Sequence, residues 1–157
     1  MTLELYKKKR KFEKTFEPEA KALSLSKDRF VVQEHHASHL HWDFRLELPS
    51  VIGSLEIVLK SWAIPKVPPQ VEGERRLAVA VEDHPVEYIN FTGVIPEGEY
   101  GAGVVKIWDK GNFKLIKRTL KEIEVDLSGK KMKGRYVLVN TAFGGKKTNW
   151  LIIKAKE

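Results

Sequence analysis

Four of the five histidines in this 157-residue chain fall between positions 35 and 41, within Gln33-Glu34-His35-His36-Ala37-Ser38-His39-Leu40-His41-Trp42-Asp43-Phe44-Arg45-Leu46-Glu47. From Leu40 to Leu48 every even position is apolar and every odd position is His, Asp, Arg or Glu. An extended chain throws successive side chains to opposite faces. His41, Asp43, Arg45 and Glu47 therefore share one face, while Leu40, Trp42, Phe44, Leu46 and Leu48 pack on the other. Two imidazoles and a carboxylate beside a guanidinium are the parts of a metal site with an anion clamp. Imidazole and carboxylate without thiolate suit Mn²⁺, Fe²⁺ or Zn²⁺ and leave coordination positions for water or substrate. Which histidine joins His41 and Asp43 is open at this level. Alternation slightly prefers His39, whereas His35 joins only if the chain bends at Ala37-Ser38.

A second cluster is Glu82-Asp83-His84-Pro85-Val86-Glu87-Tyr88. A strand ending in His-Pro can hold its imidazole at the rim of a pocket, as a phosphate donor or general acid, with the Tyr88 hydroxyl nearby. The plain alternative is a turn with a surface histidine. Lys66 sits between prolines on a stiff segment, where an exposed lysine is the simpler reading. Arg75 and Arg76 precede a strand, and by parity only one of them faces a shared pocket. Gly98-Glu99-Tyr100-Gly101-Ala102-Gly103 lacks the third glycine of a dinucleotide loop and opens a strand rather than a helix, so it reads as a tight turn.

The elements that must carry these groups are mostly strands. Residues 1–28 look peripheral: Leu3 to Glu13 could form a short basic helix, interrupted at Glu17-Pro18. From Arg29 onward, strands are expected at Phe30–Gln33, Leu40–Leu48, Ser54–Trp62 and Leu77–Glu82. Val104–Trp108 and Phe113–Lys117 follow, around a turn at Lys110-Gly111-Asn112, and then Glu122–Leu127, Gly134–Asn140 and Trp150–Lys154. Pro65, Pro68 and Pro69 exclude a central strand there. Eight or nine short strands at spacings near ten residues predict an all-β barrel or sandwich, with minor α content. One domain spanning 1–157 is expected, with 29–157 as its core.

Composition narrows the classes. The chain has no cysteine, which removes disulfides, thiolate metal sites and cysteine nucleophiles together. It has no long apolar run or signal-peptide pattern, so the expectation is a cytoplasmic protein with no membrane partner. The net charge of +7 hides a segregation: residues 1–14 carry +4, residues 15–103 carry −6 and residues 104–157 carry +9. The acidic middle holds every histidine, and the basic flanks suit a phosphate backbone.

Read together, several motifs carry a family resemblance. The run from His35 to Glu47 resembles the signature of the 3′-phosphoesterase domain of bacterial DNA ligase D and its stand-alone relatives. So do Ser61-Trp62-Ala63-Ile64-Pro65-Lys66, Val81-Glu82-Asp83-His84-Pro85, Gly93-Val94-Ile95-Pro96-Glu97-Gly98 and the closing Asn149-Trp150-Leu151-Ile152-Ile153-Lys154. The resemblance implies a β-barrel of about eight strands with a polar active-site pocket. It implies a Mn²⁺-dependent hydrolase, with Co²⁺ or Zn²⁺ as other metals, that removes 3′-terminal ribonucleotides and 3′-phosphates from DNA primer–templates in end joining. It assigns His35, His41 and Asp43 to the metal, dropping His39. Arg45, His84 and Tyr88 fall on positions that hold the phosphate. Gln33, Lys66, Arg76 and Glu82 fall on further functional positions, and Arg10 and Glu17 on a leader that closes over the pocket. The leader reads Arg10-Lys11-Phe12 where the family often has Arg-Asp-Phe, which changes the pairing there. A polymerase and ligase acting in trans are the expected partners. The competing classes are a non-catalytic nucleic-acid module, suggested by the basic flanks, and an Fe²⁺ facial-triad oxygenase, which lacks an arginine clamp soon after His84.

Overall fold

The alternating segments pair as antiparallel strands in a computed structural model that describes Leu3, residues 26–99 and residues 102–157. The strands are β1 (Arg29–His36), β2 (Leu40–Pro49), β3 (Ile57–Ile64), β4 (Arg75–His84), β5 (Gly93–Ile95), β6 (Gly103–Arg118), β7 (Glu122–Ser128), β8 (Lys133–Asn140) and β9 (Asn149–Lys154). Their order is β1-β2-β3-β4-β9-β8-β7-β6, and β6 returns to pair with β1, so eight strands close into a barrel. The short β5 adds outside this ring, on the first residues of β6. A 3₁₀ turn, η1 (Val86–Asn90), follows β4 directly.

An eight-stranded barrel is just wide enough for side chains to fill its lumen. Here the even positions of β1 and β2 fill it. Phe30, Val32, Phe44, Leu46 and Leu48 pack with Trp62, Ile64, Val125, Tyr136, Leu138 and Ile152 from the other strands. The odd positions of β1 and β2 therefore point outward. The polar pocket accordingly lies against the outer wall of the barrel, not in its lumen. There a second cluster of Val31, Leu59, Tyr88 and Ile89 pins η1 onto the strands.

The expected turn at Lys110-Gly111-Asn112 does not form. β6 runs unbroken through it and changes partner instead, pairing with β1 up to Asn112 and with β7 from Asn112 onward. Gly111 serves this crossing by its lack of a side chain, since a Cβ there would lie 2.2 Å from the Ser128 carbonyl oxygen. Leu3 is helical and buried; the rest of the expected basic helix, with Arg10 and Lys11, and the leader residue Glu17 lie outside the described residues. Among the described residues no helix is long and apolar enough to cross a membrane.

Candidate functional site

The site begins with the β1–β2 hairpin. Residues 37–39 form its connection, and the antiparallel register sets His35 opposite His41, Gln33 opposite Asp43 and Val31 opposite Arg45. All of these are odd positions on the outward face, so one hairpin presents His35, His41, Asp43 and Arg45 side by side. His39 sits in the exposed connection, where alternation no longer applies, and its side chain is not part of the cluster. Its carbonyl oxygen lies 3.0 Å from His41 Nδ1 and can accept that proton, which directs Nε2 toward Asp43.

His35, His41 and Asp43 offer ligand atoms that all lie within 4.8 Å of one another. His35 Nδ1 is 3.5 Å and His41 Nε2 3.2 Å from Asp43 Oδ2. This nitrogen and oxygen donor set, open on its pocket side, fits a divalent transition metal with positions to spare. Burial would push the Asp43 carboxyl up, but the Arg45 guanidinium and the two imidazoles hold it well below the ordinary range. Burial likewise opposes charge on His41, yet the hydrogen bond and charge of Asp43 raise its pKa above the usual value. Asp43 is thus ionised and ready as a ligand across the physiological range.

Arg45 is the hub of the neighbouring wall. Its Nε–H donates to Gln33 Oε1 at 2.6 Å, and Nη1 donates to Ser61 Oγ at 2.8 Å. Nη2 stands 3.6 Å from Asp43 Oδ2. Gln33 in turn donates to the Tyr88 carbonyl at 2.9 Å, tying the strand to η1. His84 reaches this wall through a bulge. Ser61 pairs with Val81 but Leu59 pairs with His84, so β4 advances three residues while β3 advances two. The extra residue puts His84 on the same face as Val81. Its Nδ1 lies 3.2 Å from Arg45 Nη1 and 3.0 Å from the Glu82 carbonyl. A neutral ring satisfies only one of these, as acceptor or as donor. Tyr88 packs against the His84 ring, with centroids 4.8 Å apart, and its ring lies 5.0 Å from the Arg45 guanidinium carbon.

These groups surround a cavity of about 350 Å³ lined by His35, His41, Asp43, Arg45, Glu82, His84 and Tyr88, with Ala37, Ala63, Val81 and Ile95 as its small or apolar walls. Of the positions the resemblance singled out, Gln33 is buried behind Arg45 rather than in the lining. Lys66 is exposed and Arg76 binds the Val67 carbonyl and Glu74, so neither lines the pocket. Neither does Arg75, which is exposed. Glu47, the last polar residue of the alternating face, is a structural anchor: Arg29 grips both its carboxylate oxygens, at 2.9 and 3.0 Å. Ser61 is the residue that alternation did not single out. Its buried hydroxyl fixes Arg45 while donating to the Leu59 carbonyl, a role visible only once β2 and β3 are in register.

The stretch of chain that carries the site also matches a known family. The family described as DNA Ligase D 3′-phosphoesterase domain matches residues 33–140. The chain is 42% identical to the multifunctional non-homologous end joining protein LigD of Pseudomonas aeruginosa, over 97% of this chain and 18% of that protein. It is 42% identical to the LigD of Mycolicibacterium smegmatis, over 99% and 21%. It is 44% identical to the LigD of Mycobacterium tuberculosis, over 87% and 18%. The chain spans about a fifth of the length of these relatives.

Proposed function

This chain belongs to the DNA ligase D 3′-phosphoesterase family, and from that premise we propose that it heals DNA 3′ ends for non-homologous end joining. It trims a 3′-terminal ribonucleotide by hydrolysing the bond from phosphorus to its 5′-oxygen, which releases the ribonucleoside and keeps a 3′-phosphate on the end. It then hydrolyses that phosphate to leave the 3′-hydroxyl that sealing requires. The observation that carries this reading is the contiguity of two parts in one cavity: a His35–His41–Asp43 donor set and the cationic wall of Arg45 beside His84. A metal site alone would serve many reactions. A metal site with a guanidinium locked next to it suits a phosphoryl group.

Mn²⁺ is the metal we assign to His35, His41 and Asp43, with Co²⁺ or Zn²⁺ as substitutes, and it would supply Lewis acidity toward a phosphoryl oxygen. Arg45 stabilises charge that develops on the phosphorus oxygens. Its Nε and Nη1 are already committed to Gln33 and Ser61, so it needs no reorganisation as the reaction proceeds. To His84, whose Nδ1 lies within reach of Arg45 and the Glu82 carbonyl, we assign proton transfer to the leaving 3′-oxygen of the phosphate. Tyr88 holds the His84 ring plane and borders the phosphate. Glu82 faces the same cavity and completes its polar lining. Lys66, Arg76, Arg10 and Glu17 are functional positions by family pattern alone, with Lys66 and Arg76 suited to substrate outside the pocket. Residues 1–157 act as one unit in this reading, with 1–28 assigned as a leader by family pattern alone.

The test is a 5′-labelled primer–template ending in one ribonucleotide, incubated with and without Mn²⁺. The expected result is metal-dependent conversion to a 3′-phosphate end and then a 3′-hydroxyl end. Chelator-insensitive DNA binding with no product in Mn²⁺, Co²⁺ or Zn²⁺ would instead establish a non-catalytic nucleic-acid module. Oxygen consumption with Fe²⁺ would establish an oxygenase, since two histidines and a carboxylate are also that class's ligand set.

A further inference from the structure

We propose that a second concavity on the same outer wall seats the sugar–phosphate backbone of the DNA duplex behind the 3′ end; this rests on the reading of the neighbouring pocket as a 3′-end site. The concavity is about 320 Å³ and is lined by Arg29, Ile89, Asn90, Lys110, Asn112 and Lys130. A single turn separates it from the first pocket. η1 gives Tyr88 to one side and Ile89 with Asn90 to the other. From His35 to Arg29 along β1 is about 20 Å at roughly 3.3 Å per residue. That distance matches about six base pairs of B-DNA along its axis.

The charge around this concavity stands on a backbone that a buried acid holds in place. Asp109 is buried, and its carboxylate accepts the main-chain N–H groups of Lys110 and Lys130 at 2.9 Å each, Lys131 at 3.0 Å and Met132 at 2.8 Å. The acid is spent on backbone donors, and it clamps the β7–β8 connection against β6. Gly129 permits this approach, because a Cβ there would lie 2.4 Å from Asp109 Oδ2. The side chains of Lys110 and Lys130 therefore rise from one rigid platform, both exposed. Among the described residues neither ammonium has a carboxylate within ion-pair distance, whereas Lys60, Lys117 and Arg135 each do. Arg29 is answered by Glu47, and Lys131 turns away to stack on Trp108 at 4.8 Å. Lys110 and Lys130 thus supply the unanswered positive charge. Like charges held around a hollow repel each other, and a polyanion that displaces its own counterions relieves them. The amide of Asn90 adds a neutral donor to the same surface, while Asn112 Nδ2 is turned toward the Lys27 and Asp28 carbonyls, at 3.4 and 3.5 Å.

The experiment is fluorescence anisotropy of a fluorescein-labelled primer–template in EDTA, so that no turnover occurs, across about 50 to 200 mM salt. Lys110→Ala/Lys130→Ala is compared with wild type and with Lys146→Ala/Lys147→Ala, which removes equal charge from the exposed β8–β9 connection. The groove variant is expected to bind at least about tenfold more weakly, with a log–log salt slope smaller by about two. The control pair is expected to match wild type. The penalty should also disappear on a duplex cut to about three base pairs, too short to reach the groove. Unchanged affinity and slope, an equal loss in the control pair, or a penalty indifferent to duplex length would overturn the proposal. Failure of the neighbouring site's reading shows separately: wild-type protein would bind DNA through these lysines yet release nothing from a 3′-phosphate end in Mn²⁺.

Discussion

His35 stands directly across the β1–β2 register from His41, with ring centroids 4.7 Å apart, on the face that Asp43 shares. The pair is made by strand pairing, not by sequence proximity, and the three-residue connection that allows it carries His39 out of the cluster. Replacing His35 by Ala should therefore remove one of three ligands and weaken Mn²⁺ binding by about a hundredfold or more, with loss of metal-dependent turnover. His39→Ala keeps the carbonyl that orients His41, so its Mn²⁺ affinity should stay within about threefold of wild type. Titration of free Mn²⁺ by electron paramagnetic resonance reads both. The opposite ranking would return the ligand role to His39.

Ser61 gives a second, narrower prediction. Its hydroxyl holds Arg45 Nη1 at 2.8 Å in a buried setting. Ser61→Ala should lower kcat on a 3′-phosphate end about tenfold, because a hydrogen bond to a charged group is worth about 1.5–3 kcal/mol. Mn²⁺ affinity should not change, since Ser61 touches no ligand. Ser61→Thr keeps the hydroxyl and should recover most of the rate. A drop in metal affinity, or no rescue by threonine, would make Ser61 a packing residue only.

These two cases show what the sequence carries and what it leaves out. The period-two pattern from Leu40 to Leu48 predicts a strand with one polar face, and that strand is β2, facing as expected. Parity within one strand cannot name the residue opposite, so alternation alone favoured His39 where the register supplies His35. The same limit hides Ser61, which meets Arg45 only through β2–β3 pairing. His84 escapes parity for another reason: a bulge in β4 adds a residue and rotates it to the face of Val81. Lys110-Gly111-Asn112 has the composition of a turn, yet the glycine is there for a close approach between strands. Composition reports conformational tolerance and not which tolerance is used.

Metal affinity should depend on pH in a direction fixed by His41 and Asp43. In the metal-free protein the His41 pKa is raised above its ordinary 6.5. Its protonation therefore adds stability that is complete below the unfolded value and lost as pH rises through the folded one. Asp43 is lowered from 3.8, so its contribution is present at neutral pH and is lost only as the solution becomes strongly acidic. Of these two groups His41 is the one that changes state near neutrality, and metal binding must displace its proton. Mn²⁺ should consequently raise the melting temperature more at about pH 8.5 than at about pH 6. Thermal melts with and without Mn²⁺ at both pH values check this, and equal shifts would show that His41 binds no metal.

Barrel closure has its own test at Gly111. A methyl group there would meet Ser128 backbone at 2.2 Å to oxygen and 2.9 Å to carbon, with no flexible side chain to yield. Gly111→Ala should cost about 2–4 kcal/mol in urea unfolding through strain at the β6 crossing. An unchanged urea midpoint would mean that the strands can separate there at no cost.

The sharpest test of the chemistry falls on His84. Its ring is held between Arg45 and the Glu82 carbonyl through one nitrogen and packed against Tyr88. If it donates a proton to the leaving 3′-oxygen, His84→Ala should lower kcat by about 10²–10⁴-fold, the usual range for general acid catalysis. The loss should be smaller on a substrate whose leaving group needs no proton, such as a nitrophenyl ester. A residue that only binds phosphate would instead raise KM on both substrates alike. Near-normal turnover of a 3′-phosphate end by His84→Ala would exclude both roles. An equal loss on both leaving groups would assign His84 to charge stabilisation beside Arg45.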